Sequence, residues 1–141
     1  MKNVDARSGI EVLAADECLR LLAADVIGRL AVVVGGSPSI FPVNYVLDEE
    51  SIVFRTDAGT KLDHGPRSQA CFEIDSFDRD SRTGWSVVVA GRLEEVTRFQ
   101  SATLQRVRDL PIDPWAGGEK AHWMRLVSNW VTGRRLRAPD S

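Results

Sequence analysis

The chain has 141 residues, of which 43% are hydrophobic and 27% are charged, and its formal net charge is -2. This length fits one domain with a real core, and the composition is ordinary for a globular protein. The small net charge gives no electrostatic basis for nucleic-acid binding, and the apolar stretches are far shorter than the roughly twenty residues of a membrane helix. We therefore expect no nucleic-acid or membrane partner. The first residues lack the apolar core of a signal peptide, so we expect a cytoplasmic location.

The N-terminal part of the chain contains one short helix. Residues 1–12 lack periodicity, which predicts a flexible or loosely docked lead-in before a single domain over residues 13–141. The spacing of apolar residues from Asp16 to Leu22 predicts a helix, whose acidic first turn favours the positive end of the helix dipole. Ala14 stands where a small polar capping residue is usual, so this helix lacks a side-chain cap.

Hydrophobic runs joined by short turns predict six strands, and the first three form an antiparallel meander. Gly91 in the long fifth strand indicates a bulge or bend. Further short helices are predicted over 61–67 and 99–110. The fold is therefore mainly β with short helices, and we expect a small closed barrel because closure removes exposed sheet edges. The predicted strands are 29–34, 39–47, 52–56, 69–75, 85–96 and 122–131.

Metal and thiol sites are not expected. His64 and His122 are the only histidines, and they lack companion carboxylates at metal-binding spacing. Cys18 and Cys71 have no Cys-x-x-Cys spacing and are expected to be buried reduced thiols. We therefore predict no metal ligand and no redox chemistry at sulfur.

A basic turn follows the third predicted strand. Arg55 and Thr56 end the strand, and Thr60 and Lys61 follow one glycine later. Arg supplies a planar donor fork and Lys a compact mobile charge, so the two can hold a phosphate from two sides while the hydroxyls bind its remaining oxygens. The alternative is that both cations are solvated charges beside a hairpin turn.

The strand expected next to this turn supplies a second candidate wall. Pro42 has no amide hydrogen and belongs near a strand irregularity, while Asn44 offers a donor and an acceptor to the edge of a heterocycle. The alternative is an edge strand with Asn44 facing solvent. Trp115 lies in an irregular segment, where its side chain is suited to stack on a planar ligand or to fill a dimer interface. For the other tryptophans we expect core or interface packing; they are Trp85, Trp123 and Trp130.

Several motifs occur in a defined order over most of the chain: Glu17-Cys18-x-x-Leu21-Leu22, Gly28-Arg29-Leu30, Phe41-Pro42-Val43-Asn44-Tyr45, Phe54-Arg55-Thr56, Gly59-x-Lys61-Leu62, Phe72-Glu73-x-Asp75, Gly84-Trp85-Ser86-Val87 and Gly133-Arg134-Arg135. In this combination the sequence resembles the pyridoxamine 5'-phosphate oxidase-like, flavin-binding split-barrel family, particularly its small actinobacterial members. The resemblance implies a six-stranded antiparallel split β-barrel of the FMN-binding type. It also implies a homodimer with two flavin mononucleotide (FMN) sites at the subunit interface.

The same resemblance assigns roles to site residues. By analogy, the phosphate is held by Arg55, Thr56, Thr60 and Lys61. The isoalloxazine ring is lined by Pro42, Val43 and Asn44. The analogy is weaker for three further residues, which the second subunit could contribute: Trp85, Ser86 and Trp115.

The implied function is an FMN-dependent oxidoreductase that transfers hydride or electrons to a small organic acceptor. Two alternatives stay open: a non-catalytic flavin or haem binding or storage protein, and a reductase that uses a deazaflavin coenzyme. Vitamin B6 oxidation is not expected, because no second phosphate-binding cluster is visible. No residue is assigned as catalytic, since flavin chemistry mainly requires that the protein position the substrate and tune the ring.

Overall fold

The computed structural model describes residues 3–4, 8–57, 68–97, 101–116 and 122–138. Within them the chain forms two helices and nine strands. None of the described helices is long and apolar enough to cross a membrane. The elements are β1 (Asn3–Val4), β2 (Ile10–Val12), α1 (Ala15–Ala24), β3 (Ile27–Val34), β4 (Ser37–Asn44), β5 (Val46–Asp48), β6 (Ser51–Thr56), β7 (Gln69–Asp78), β8 (Thr83–Glu95), α2 (Ser101–Arg108) and β9 (His122–Leu136).

All described strand pairs are antiparallel, and the main sheet has the order β1-β2-β9-β8-β7-β3-β4. The strand β9 also pairs with β6 through its first half, and β6 pairs with β5. The sheet therefore branches at β9 and curls around a core. The prediction of a mainly β, antiparallel fold with short helices is confirmed. The number of strands differs from six because β4 and β5 separate at Tyr45 and because two short strands precede α1.

Two apolar clusters hold the sheet together, one on each face of β6. Phe54 belongs to the large cluster inside the curled sheet, together with Phe72 and Leu126. Val53 points to the opposite face, where α2 covers it, and shares a smaller cluster with Trp123. Adjacent residues of a strand face opposite sides, so a strand buried on both faces needs an apolar run instead of alternation. This is why residues 52–54 are consecutively apolar.

The predicted irregularity at Gly91 is confirmed. The register between β8 and β9 shifts between Ala90 and Gly91, so that one residue of β9 is left over. A Cβ atom at position 91 would lie 1.9 Å from the carbonyl oxygen of Val127. The bulge thus brings the two backbones closer than any side chain permits.

We expect Gly91→Ala to lower the free energy of unfolding by about 1–3 kcal/mol, the usual cost of forcing extra volume into a packed site. The midpoint of urea denaturation measures the loss. Thr132→Ala, at an exposed position of β9, is the control and should stay within about 0.5 kcal/mol of the wild type. An unchanged midpoint for Gly91→Ala would contradict the close approach.

The N-terminal region contains a strand that sequence analysis did not predict. Residues 10–12 form β2, which pairs with β9 from Arg134 to Leu136. Glu11 is 3% exposed, and its Oε2 accepts a hydrogen bond of 2.8 Å from Nε of Arg137. A three-residue strand is too short to show a period of two, and its partner lies more than 120 residues away. The sequence pattern therefore gave no sign of it.

The boundaries of the first helix and of the last strand also differ from the predicted ones. The first helix starts after Ala14, which makes no side-chain capping hydrogen bond, as predicted. The last strand continues to Leu136 instead of ending at Val131. The helix predicted over 61–67 lies outside the described residues.

Candidate functional site

The candidate site lies where the curled sheet is open. The first half of β6 pairs with β5 as far as Val53; beyond it, no strand among the described residues pairs with β6 on this side. A cavity of about 230 Å³ occupies this gap between β4 and the end of β6. It is lined by Leu30, Phe41, Pro42, Val43, Asn44, Phe54, Arg55, Thr56, Asp57, Pro114 and Ala116.

The cavity is apolar at its floor and polar at one end. Leu30 and Phe54 are fully buried beneath it. Arg55, Thr56 and Asp57 stand together where β6 ends. An apolar cleft with a few convergent polar groups is typical of sites for planar organic ligands.

Pro42 lies on β4, which is an edge strand of the main sheet in the described part of the chain. It stands opposite Arg29 of β3, and Pro38 stands opposite Val33. A proline can occupy an edge strand only where its nitrogen faces away from the neighbouring strand. Both prolines therefore remove amide donors from the free edge of β4, so this edge borders the cavity instead of pairing with a further strand.

Arg55 is positioned by Trp123. The two residues are opposite each other on β6 and β9, and Cζ of Arg55 lies 4.9 Å from the centroid of the Trp123 ring. Trp123 is 9% exposed and anchored in the smaller apolar cluster. A guanidinium stacked on a fixed aromatic face directs its N–H groups outward in the plane of the fork. Sequence analysis did not assign Trp123 to the site, because only the strand register places it beneath Arg55.

Asn44 forms hydrogen bonds to the main chain through both ends of its side-chain amide. Its Nδ2 donates to the carbonyl oxygen of Val26 at 3.2 Å. Its Oδ1 accepts from the backbone N–H of Trp115 at 2.8 Å. The side chain thus connects the start of β3 with the segment that follows α2. Its predicted contact with a heterocycle edge stays a prediction.

Tyr45 fixes the backbone beside Asn44. Its hydroxyl donates to the carbonyl oxygen of Leu22 at 2.6 Å, and its ring packs edge-on against Phe72 with centroids 4.7 Å apart. The backbone N–H of Tyr45 donates to Val26 at 3.1 Å. Burial raises the pKa of the Tyr45 hydroxyl, so this group stays protonated and acts as a donor.

Trp115 lies behind the cavity wall. Its side chain is 67% exposed. It borders a second cavity, of about 300 Å³, which also includes Asp25 and Asp113. Pro114 and Ala116, its neighbours in the chain, line the first cavity. Successive residues of this extended segment thus face opposite sides.

Trp85 and Ser86 do not line the described cavity of their own chain. On β8 they stand opposite Arg135 and Arg134 of β9, and Trp85 borders an open groove with Arg135 and Arg137. Beside this groove, Glu17 accepts hydrogen bonds from Arg20 and Arg135. These bonds, that to Arg20 first, lower the pKa of Glu17 to about 2.

The remaining predicted residues are Thr60 and Lys61, which lie outside the described residues, as does His64. His122 is opposite Thr56 in the strand pairing, and its Nδ1 lies 2.5 Å from Oε1 of Glu95. No cluster of metal-ligating side chains occurs among the residues that the structure describes.

On the outer side of β3, an ion-pair cluster lies next to Pro42. Nη2 of Arg29 lies 2.7 Å from Oε1 of Glu73 and 2.8 Å from Oδ2 of Asp75. Burial, together with the adjacent Asp75, raises the pKa of Glu73, while Arg29 opposes this shift. The cluster fixes the position of Arg29 behind the edge strand.

The chain is similar to a described protein family, to a relative in sequence and to solved structures. The sequence profile of the family described as Pyridoxamine 5'-phosphate oxidase matches residues 14–135. The protein Rv0080 of Mycobacterium tuberculosis is 34% identical over 140 residues, which cover 94% of this chain and 89% of the relative. The FAD binding protein from Mycobacterium smegmatis is 34% identical, with a TM-score of 0.76 over 89% of this chain and 98% of that chain. A FAD-binding protein from Mesorhizobium loti is 25% identical, with a TM-score of 0.70 over 89% and 97% of the two chains.

Proposed function

Because the chain belongs to the pyridoxamine 5'-phosphate oxidase family, we propose that it binds a flavin in the cavity between β4 and β6. One observation carries the proposal: residues 42–44 and residues 55–56, from separate strands, line the same cavity. An apolar slot beside a cation matches the two parts of a flavin nucleotide, a planar ring and a phosphate. Two similar solved structures are named as FAD-binding proteins, which supports a flavin.

The ring belongs against the apolar wall. Pro42 and Val43 present carbon atoms at the edge of the sheet, and Leu30 and Phe54 close the floor. The ring would replace water over this surface, which favours binding by roughly 25 cal/mol per Å² of apolar area. None of the described lining residues is a His, Cys, Met or Tyr, the usual axial ligands of haem. Haem is the alternative ligand, and its absorbance spectrum distinguishes it from a flavin.

The phosphate belongs at the end of β6. Arg55 and Thr56 line the cavity where β6 ends, and the Arg55 guanidinium is oriented by Trp123. Thr60 and Lys61 follow four to five residues later in the sequence and are proposed to complete the phosphate site. A single phosphate-binding site of this kind fits FMN, which has one phosphate. The FAD named in the relatives is the alternative, and it requires further contacts for its adenylate.

We propose that a second copy of the chain completes the site. The cavity volume of about 230 Å³ is below the roughly 300–1,000 Å³ of common ligand sites. Next to Pro42, the outer face of the sheet carries an apolar row whose members are directly opposite one another on successive strands. Its ends are large and exposed, Ile40 at 69% and Trp130 at 51%. This outer apolar row consists of Ile40, Ala31, Cys71, Ala90 and Trp130.

The outer apolar row is therefore the proposed homodimer surface. Ile40→Asp places a charge in it on both copies, and we expect the dissociation constant of the dimer to rise at least about 30-fold, the effect of an interface hot spot. Sedimentation equilibrium measures this change. Val26→Asp is the matched control, because Val26 is 55% exposed but borders the second cavity. Equal dimer stability for Ile40→Asp and the wild type would refute this surface.

The proposed activity is transfer of hydride or electrons to a small organic acceptor, with the redox chemistry supplied by the flavin when it is bound. The chain's own residues would exclude water with the apolar floor and neutralise the phosphate with Arg55. A non-catalytic flavin-storage role and a deazaflavin-dependent reductase are the two other proposals that fit the same cavity.

One set of measurements separates these proposals. The absorbance spectrum of the purified protein and mass analysis of released molecules identify flavin, deazaflavin or haem. Titration with FMN, FAD and riboflavin then ranks the flavins; we expect FMN to bind more tightly than riboflavin. Failure of all flavins to bind would reject the proposed function. Reduction of the bound flavin by a nicotinamide or deazaflavin donor, followed by acceptor consumption, would distinguish an enzyme from a storage protein.

A further inference from the structure

The first residues after α2 are anchored by packing, because Leu110 and Ile112 lie against the smaller apolar cluster; residues 113–116 follow beyond this anchor. Pro111 and Pro114 have no backbone N–H, and they limit the donors that this segment can offer. Among the described residues, the bond from the Trp115 N–H to Oδ1 of Asn44 is the hydrogen bond that ties residues 113–116 to the sheet. It joins positions 71 residues apart in the sequence.

Asn44 itself is held by a rigid frame. The Val26 carbonyl oxygen accepts from the Asn44 side chain and also from the backbone N–H of Tyr45. Tyr45 is 2% exposed and is bonded to the end of α1 through its hydroxyl. The acceptor atom that Asn44 presents to Trp115 is therefore fixed in position before a ligand arrives.

The attached segment forms one wall of the flavin cavity proposed above. Pro114 and Ala116 line that cavity, while Asp113 and Trp115 face the second one. If the Trp115 N–H were released, Pro114 and Ala116 would no longer be held at the distance that makes the cavity a slot. Pre-ordering such a wall lowers the cost of ligand binding, because the segment need not be ordered at that moment.

We propose that Asn44 is a positioning residue: its side-chain amide fixes the segment 113–116 as a wall of the flavin site, and this role replaces the ring contact that was predicted from the sequence. This inference rests on the proposed function for its consequence, since the wall matters for affinity only if a flavin binds in this cavity. The attachment itself is independent of any ligand.

The test uses two readouts on the full-length protein. Hydrogen exchange of the Trp115 amide in the flavin-free protein reports the attachment, because a released segment opens locally. Titration with FMN, and the visible spectrum of the bound flavin, report the consequence. For Asn44→Ala we expect exchange at Trp115 to accelerate about tenfold and the dissociation constant of FMN to rise about tenfold, in line with the loss of one or two hydrogen bonds. The absorbance maxima of the bound flavin should not move.

Asn44→Asp separates the two ends of the amide. A carboxylate still accepts from the Trp115 N–H but no longer donates to Val26, so Trp115 should stay protected from exchange more than in Asn44→Ala. Arg106→Gln is the matched control. It removes the hydrogen bond of 2.8 Å from Nη1 of Arg106, in α2, to Asp48 of β5, and leaves the bond between Asn44 and Trp115 intact. It should leave FMN affinity unchanged within about threefold.

The outcomes are distinct. Unaltered exchange at Trp115 in Asn44→Ala would overturn the proposal, and so would a shifted flavin spectrum with Trp115 still protected, since that combination means direct contact between Asn44 and the ring. If no flavin binds the wild type but the exchange of Trp115 still depends on Asn44, the proposed function fails while the attachment stands.

Discussion

Replacing Arg55 with Ala should weaken FMN binding by about 1.5–3 kcal/mol, the range for a hydrogen bond to a charged group. This corresponds to a roughly ten- to 150-fold rise in the dissociation constant. The reason is geometric: Arg55 lines the cavity and its guanidinium stacks on the Trp123 ring, so a phosphate bound there would meet a donor fork that is already oriented. Quenching of flavin fluorescence during titration measures the change.

Riboflavin provides the decisive comparison for this variant. It has the same ring as FMN but no phosphate, so Arg55→Ala should change its affinity far less than that of FMN. Arg55→Lys keeps the charge but loses the planar fork, and we expect an intermediate loss. Arg92→Ala, which removes an exposed arginine on β8 paired with Glu94 at 3.2 Å, is the charge-matched control. Equal losses for FMN and riboflavin would contradict the assignment of Arg55 to the phosphate.

Replacing Trp123 with Ala is expected to have the largest effect on stability, lowering the free energy of unfolding by about 3–5 kcal/mol. Trp123 is 9% exposed and packs with Val53, Val96 and Val107, which join β6 and α2 to β9. Its removal leaves a cavity between these elements, and a loss of this size is a substantial part of the roughly 5–15 kcal/mol that stabilises a typical domain. Urea denaturation of the flavin-free protein measures it.

The same substitution should also reduce FMN affinity, because Arg55 loses the surface on which it stacks. Trp123→Phe is the matched control: a smaller aromatic ring keeps a face for the guanidinium and fills most of the space. We expect it to lose less stability and to bind FMN more tightly than Trp123→Ala. If both variants bound FMN as the wild type does, Trp123 would have only a packing role.

The protein's fold was largely predictable, since its central strands carry local signals. The β-branched runs that predicted strands at 29–34, 52–56 and 85–96 correspond to β3, β6 and β8. The prediction missed β2 and the separation of β4 from β5 at Tyr45. Both depend on partners distant in the chain: β2 exists because β9 offers it an edge, and Tyr45 interrupts the strand to reach the helix carbonyl of Leu22.

The candidate site was predictable as a set of residues but not as an arrangement. Pro42 has no amide hydrogen and Arg55 carries a donor fork, and these chemical properties are visible in the sequence. The stacking of Arg55 on Trp123 follows from the pairing of β6 with β9, which no local pattern specifies. The two main-chain bonds of Asn44 likewise depend on three separate segments meeting at one point.

The amino-acid sequence by itself determined which segments become strands and which side chains can contact a phosphate or a ring, because these properties belong to each residue and its immediate neighbours. The tertiary structure alone decided where the sheet opens and which residues border the gap. It also decided that Trp123 orients Arg55 and that the amide of Asn44 contacts the backbone. The physical reason is that register and closure are set by packing and hydrogen bonds between residues far apart in the chain, and these form only when the whole sheet curls around its core.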